Sequence, residues 1–382
     1  ILSKIYLGSD LVPSLFFVGD ADQSIYESLG ALTKSPEEIA AEFNLNAITH
    51  RQLAGNYRSS QRIINFYRRF RPEVPAIISR AEYAEEVGAI TFQNQTVHKD
   101  EIPVVISDLV SASIESGVPP DEICILAPHW WHVRSVARRL VTLLPTVEFD
   151  APGLSPLYSS RDNFWYKVAR LFLTDPIPSR IRTRARWANE VINELGIIAN
   201  VTVPESVSTS RRLLRIINSI TSQESDGIAY LKDVFFRLIS EVGLDLDASV
   251  LLGQSFRSFF EKAEARITNS EGGIPTDIAS FRRLFSHPSG VVVSTCHGVK
   301  GEEYDTVIAF GLLKGYVPHW SVIINGTDRE ASERESKLLY VICSRAKRQL
   351  HLLAESGRKT QSGNCYETST LLRDTRFDFD NS

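Results

Sequence analysis

Short apolar runs rich in β-branched residues recur along this chain, and several lead directly into stretches with helical spacing. Glu122-Ile123-Cys124-Ile125-Leu126-Ala127 is followed by Val133, Val136, Ala137, Leu140 and Leu144, the three- and four-residue steps of an amphipathic helix. The order returns later, where 290–295 and 306–310 read as buried strands, 336–345 as a helix and 350–353 as a last strand. Strands that are apolar on both faces need helices on both sides, so this alternation predicts an α/β fold around a parallel sheet.

Other segments add to the same picture. Leu15-Phe16-Phe17-Val18 ends in Gly19-Asp20, the pattern of a central parallel strand that feeds a loop. Ser35-Pro36-Glu37-Glu38 combines a capping serine, proline at the first helical position and an acidic third residue, which predicts a helix to about Phe43. Ile63, Ile64, Phe66, Tyr67 and Phe70 predict another, closed by Pro72. Between 151 and 285 the spacing turns helical, with helices expected over 164–173, 185–195, 210–220 and 230–242, so an all-helical insertion interrupts the α/β pattern. Residues 356–382 are polar and weakly patterned and are expected to be poorly ordered.

Composition narrows the class. With 382 residues, 43% hydrophobic and 23% charged, the chain has the make-up of an ordinary globular protein of two or three compact units. No apolar run has the length of a bilayer span, and no basic-then-apolar leader opens the sequence, which favours a cytoplasmic protein and no membrane partner. The four cysteines, Cys124, Cys296, Cys343 and Cys365, have no paired metal-ligand spacing, so they read as reduced thiols and no metal site is expected. A net charge of -4 excludes a polycation that coats nucleic acid at large; any strand binding has to come from a local groove.

Four motifs stand in order along the chain: Val18-Gly19-Asp20-Ala21-Asp22-Gln23-Ser24-Ile25-Tyr26; Asn56-Tyr57-Arg58-Ser59-Ser60; Ser294 through Asp305 with Thr295, His297, Lys300, Gly301 and Glu303; and Leu338 through Ala346 with Arg345. Together they resemble the later motifs of superfamily 1 helicases of the UvrD/Rep type, over about 12–150 and 286–355. No G-x-x-x-x-G-K-[S/T] phosphate loop occurs, so the chain reads as the C-terminal portion of such an enzyme.

The resemblance implies a RecA-like parallel-sheet lobe of the P-loop NTPase type with an inserted helical subdomain. On that basis 1–43 would end a first lobe, 44–150 and 286–355 would form the second, 151–285 would be the insertion, and 356–382 a polar tail. It implies ATP as cofactor, with Mg2+ held by residues of an N-terminal portion, and the nucleotide lying between lobes beyond the carboxyl ends of parallel strands. By analogy Arg58, Arg345 and Gln23 are catalytic, the arginines neutralising charge on the γ-phosphoryl group and Gln23 sensing it. Guanidinium groups suit this because they bind phosphate oxygens in a bidentate way and do not titrate.

Tyr57, Glu303 and Gly301 correspond to nucleotide-binding positions, Tyr57 by stacking on adenine and Glu303 by holding the ribose hydroxyls. Tyr26, Thr295, His297 and Lys300 correspond to contacts with a single DNA strand, since hydroxyl, imidazole and ammonium groups are the donors a phosphate backbone requires. Implied partners are single-stranded DNA and single/double-strand junctions, in DNA processing such as repair. Each residue also has a structural reading: arginines in ion pairs, a core tyrosine, an orienting histidine.

One departure is visible. After Tyr26 the family sets an aromatic residue and an arginine before Gly-Ala, whereas this chain has Glu27-Ser28-Leu29-Gly30-Ala31, with Ser28 and Leu29 in place of that pair. A non-catalytic nucleic-acid or partner-binding module that keeps the fold is therefore the alternative, and the 382 residues alone are expected not to hydrolyse ATP. The arginines Arg180, Arg182, Arg184 and Arg186, with Arg211, Arg212 and Arg215, form either a solvated helix face or a phosphate-binding one.

Overall fold

Strands that bury every residue mark the centre of the fold. In a computed structural model of the chain, residues 3, 14–20, 34–45, 48, 49, 51, 53, 55–73, 75–94, 101–151, 154–157, 163–199, 207–269, 274–286, 289–360 and 362–380 are described. Two compact units are present, one of 1–136 with 291–382 and one of 137–290.

The first unit contains β1 (Ile90–Gln93), β2 (Ile123–Ala127), β3 (Val291–Thr295), β4 (Tyr304–Ala309) and β5 (Ala346–Leu353). They pair in the order β1-β5-β4-β2-β3, each pairing parallel. Ile125 of β2 lies opposite Val293 on one side and Ile308 on the other. All residues of β2, β3 and β4 are buried, as a sheet covered on both faces requires.

Alternate residues Cys124 and Leu126, Val307 and Ala309, and Leu350 and Leu352 share one core with Ile63, Phe66 and Tyr67 of the helix Gln61–Tyr67 and Leu339 and Ile342 of the helix Asp328–Cys343. The latter helix opens on a capping box in which Thr327 accepts from the Glu330 amide and Glu330 reaches back. Burial of one large aliphatic side chain in such a core stabilises by about 2 kcal/mol.

The parallel α/β sheet expected from the alternation is present, and the capping box at Ser35 starts the helix Pro36–Glu42 as anticipated. Two expectations fail. Leu15–Val18 is not a strand: the four side chains are 38–89% exposed, and no described strand pairs with them. An apolar run becomes a central strand only where neighbours satisfy its backbone on both sides.

The tail, expected to lack order, is packed. Leu372 of the helix Thr370–Asp374 is buried, and Phe377 and Phe379 meet Phe66 at 4.8 and 5.6 Å between ring centroids. Asp380 then takes a two-pronged bond from Arg62 at 2.6 and 3.0 Å, while its amide donates to the Ile90 carbonyl at 2.8 Å. A few aromatic residues at alternate positions outweigh the average polarity of the segment.

The second unit is helical over Phe164–Leu173, Ile181–Ala199, Val207–Ser219, Gly227–Glu241, Val250–Thr268 and Ile278–Arg283. Its core centres on Trp165, which stacks on Phe235 at 5.1 Å and donates its indole N–H to Ser255 at 2.9 Å. Arg184 leaves the arginine series: it is buried, and its guanidinium donates to the carbonyls of Leu171 and Thr174 and to Asn218. That use caps the carboxyl end of the helix Phe164–Leu173, where orphan carbonyls and the helix dipole favour a cation. Arg182, Arg186, Arg211, Arg212 and Arg215 are exposed. No helix among the described residues is long and apolar enough to cross a membrane.

Candidate functional site

A tight turn fixes the second motif. The Asn56 side-chain carbonyl accepts the amides of Arg58 and Ser59 at 2.8 and 2.9 Å, and its amide group donates to the Tyr67 hydroxyl at 3.0 Å. Ser59 then donates its hydroxyl to the Ala346 carbonyl at 2.6 Å, and the Ser60 amide donates to the Lys347 carbonyl at 2.9 Å. These bonds dock the turn on the start of β5. Arg58 is thereby delivered beside Arg345, with Nη1 donating to the Ser344 carbonyl at 3.1 Å and Nε to a Glu303 carboxylate oxygen at 2.6 Å.

Arg345 itself is fully buried. Its guanidinium donates to the carbonyls of Val341 and Glu302 and to the Ser344 hydroxyl, each at 3.1 Å. Burial, and then the nearby charge of Arg58, lower its pKa to about 10, against the pull of Asp20 and Glu303, so it remains a cation. Lys347 adds a third positive charge, bonded to Glu122 at 2.8 and 3.0 Å and 3.9 Å from Glu303. Sequence reasoning did not single out Glu122 or Lys347; the adjacency of Lys347 to Arg345 was the only signal.

Tyr57 projects from the same turn, 79% exposed. Gly301 has φ +96 in the single-turn crossover between β3 and β4, a conformation that glycine adopts without a side-chain penalty. The crossover runs the length of the sheet, so its two ends serve different places.

At its start Thr295, the last residue of β3, is buried and accepts the Gly298 amide through both Oγ1 at 3.2 Å and its carbonyl at 2.9 Å. His297 is half-buried and Lys300 exposed. At its end Glu303 meets Arg58. The candidates thus separate into Arg58, Glu303 and Arg345 at the amino ends of β4 and β5, and Thr295 and His297 at the carboxyl end of β3, roughly 15–20 Å apart along the strand direction.

The nucleotide-related candidates of this lobe therefore lie at the amino ends of its strands. In parallel strands the residue before a strand and the residue after one are on opposite edges, and Glu303 and Arg345 both precede theirs. Gln23 and Tyr26 lie outside the described residues.

The carboxyl edge holds a further group that no motif signalled. His129, Trp131 and His132 follow β2, and Tyr316 and His319 follow β4; the His129 ring meets each of the other four, with centroids 4.4–6.0 Å away, and Tyr316 also meets His132 at 4.7 Å. Two tryptophans directly after a strand were the available clue.

Residues 279–357 match the family model of the UvrD-like helicase C-terminal domain. Over 356 residues the chain is 23% identical to the ATP-dependent DNA helicase UvrD2 of Mycobacterium bovis and, equally, to that of Mycobacterium tuberculosis, with 88% of this chain and 43% of each relative aligned. A 77-residue stretch is 36% identical to YjcD of Bacillus subtilis, covering 20% of this chain and 10% of the relative. The chain therefore spans less than half the length of the UvrD2 relatives it matches. The likeness to the C-terminal portion of UvrD/Rep-type helicases, carried first by the four motifs, holds, and the α/β unit is of the RecA-like kind.

Proposed function

We propose that this chain is the C-terminal part of a cytoplasmic ATP-dependent DNA helicase or translocase, in which 44–150 and 286–355 form the second RecA-like lobe and 151–285 an inserted subdomain. Its contribution to ATP hydrolysis is electrostatic. Arg58 and Arg345 supply permanent cations for a γ-phosphoryl group, with Gln23 as sensor, Tyr57 for the adenine ring, and Glu303 and Gly301 beside the ribose. The observation that carries this reading is the convergence of Arg58, Glu303 and the Ser344–Arg345 step, from three distant parts of the sequence, at one edge of the sheet.

The residues present fit an anion. Arg58, Arg345 and Lys347 gather there, and the Arg58 side chain is 24% exposed, so its remaining N–H groups have a route to a phosphate oxygen. Among the described residues no group of three or more carboxylate, imidazole or thiol side chains gathers to hold a metal ion, and this reading assigns the magnesium ligands to the phosphate-loop half. ATP supplies the phosphoryl group; the chain's own groups bind its charge and hold it in place.

Thr295, His297 and Lys300, with Tyr26, form part of the groove for single-stranded DNA and for junctions that contain it. The sheet joins the two sites through the crossover 296–303, a physical link between strand contact and nucleotide contact.

The test uses the enzyme assembled from this chain and its phosphate-loop half. Arg58→Lys, at a partly exposed position, is expected to reduce strand-stimulated ATP turnover by about 10³-fold or more, with much smaller change in nucleotide affinity. Unchanged turnover sinks the assignment. The 382 residues alone are expected to show no strand-stimulated turnover.

A further inference from the structure

The carboxyl edge of the sheet presents a rigid aromatic surface beside the proposed strand groove. β2 ends at Ala127, and Trp131 folds back to stack on the His129 imidazole, 4.4 Å between centroids and 13° from parallel. Tyr316 braces the pair from behind, edge-on to His129 at 5.4 Å and to His132 at 4.7 Å, and Tyr366 packs on Tyr316 at 4.8 Å. His319 closes one side, 5.2 Å from His129.

Beneath lies a polar brace. Arg358 meets His132 Nε2 at 2.6 Å and stands 3.3 Å from buried Glu355, whose other oxygen accepts the Gly311 amide at 2.9 Å. Burial, helped by the charges of His319 and His297, holds His129 down at about 4, so at neutral pH its ring is uncharged. Ala127, the last residue of β2, pairs with Thr295 and accepts the Cys296 amide at 3.2 Å, which places the surface next to the loop of Thr295 and Lys300.

Within this braced cluster Trp131 stays 56% exposed, and neighbouring Trp130 48%. Single exposed apolar residues are common, but an indole locked in a stack at the mouth of a sheet is held ready for another ring. We propose that Trp131, backed by His129, is a stacking platform for a base of single-stranded DNA. The inference rests on the strand path proposed above and adds a base contact to its phosphate contacts. Every base has a π-face, so the grip is sequence-tolerant.

The measurement is binding of the chain to labelled oligothymidylate by fluorescence anisotropy. Trp131→Ala is expected to weaken binding about 5- to 150-fold while leaving the slope of log affinity against log salt unchanged, and Trp131→Phe to keep most of the affinity. On a strand of abasic sites, Trp131→Ala and the unaltered chain should bind alike. Lys300→Ala should instead lower the salt slope on either strand.

Equal binding of oligothymidylate by Trp131→Ala and the unaltered chain overturns the platform, as does a deficit of the same size on the abasic strand. If Lys300→Ala weakens binding and Trp131→Ala does not, the platform alone is wrong. If the unaltered chain binds no single strand, the proposed strand path fails with it.

Discussion

Arg58 and Glu303, 245 positions apart in sequence, share a hydrogen bond of 2.6 Å from Nε to a carboxylate oxygen. The Arg58 side chain is 24% exposed and that of Glu303 45%, so screening limits the worth of the pair. A double-mutant cycle with Arg58→Ala and Glu303→Ala, read by urea denaturation, should give a coupling of about 0.2–1 kcal/mol that vanishes at high salt. A coupling of several kcal/mol, insensitive to salt, would show that the pair is structural first.

Arg345 sits at the other extreme. Its buried guanidinium spans three acceptors that a compact ammonium cannot reach together. Arg345→Lys should therefore lower the unfolding free energy by about 3 kcal/mol, whereas Arg58→Lys should cost less than about 1 kcal/mol. Equal losses in the two variants, measured by chemical denaturation, would refute the difference in role.

His351 gives a pH dependence with a definite sign. It is buried in β5, bonded to Thr91 Oγ1 at 2.9 Å, and burial depresses its pKa to about 4, whereas in the unfolded chain it titrates near 6.5. The stability tied to its neutral form is complete above about pH 6.5 and is lost as pH falls toward 4, to an extent of about 3 kcal/mol. His129 and His132, held at about 4 and about 3 chiefly by burial, act in the same direction. His351→Asn should flatten the fall of urea midpoints between pH 7 and pH 4; an unchanged slope would remove His351 from the account.

Glu335 titrates the opposite way. Burial raises its carboxyl to about 7, although Oε1 accepts the Leu371 amide at 2.7 Å. The folded chain holds a proton there that the unfolded chain has released above about 4.5, so this group costs stability as pH rises from 4.5 through 7. Glu335→Gln keeps an acceptor for Leu371 and should stabilise at pH 8 by up to about 3 kcal/mol, with little effect at pH 4. Equal effects at both pH values would contradict a buried titrating carboxyl.

Local rules carried the expectations that succeeded. Ser35 with Glu38, and the continuous runs of β2, β3 and β4, have their structure written in neighbouring residues. β1 and the helix Ile102–Glu115 were not anticipated: β1 has four residues at a sheet edge, and the helix has no side-chain cap at Glu101. Leu15–Val18 failed because apolar composition fixes no partner strand, and Arg184 because spacing cannot tell an exposed arginine from one that caps a helix. The motifs named Arg58, Glu303 and Arg345, but not the edge of the sheet that holds them.

Sequence by itself determined the α/β class, most helices and strands, and the likeness to UvrD-type helicases, because hydrophobic period, caps and short motifs act between near neighbours. Tertiary structure alone decided that Arg345 is buried while Arg58 is partly exposed, that the tail packs on Phe66, and that Trp131 and His129 stack on a braced surface. Burial and ring contact depend on which distant segments the folded sheet brings together, and no pairing of neighbours along the chain encodes that directly.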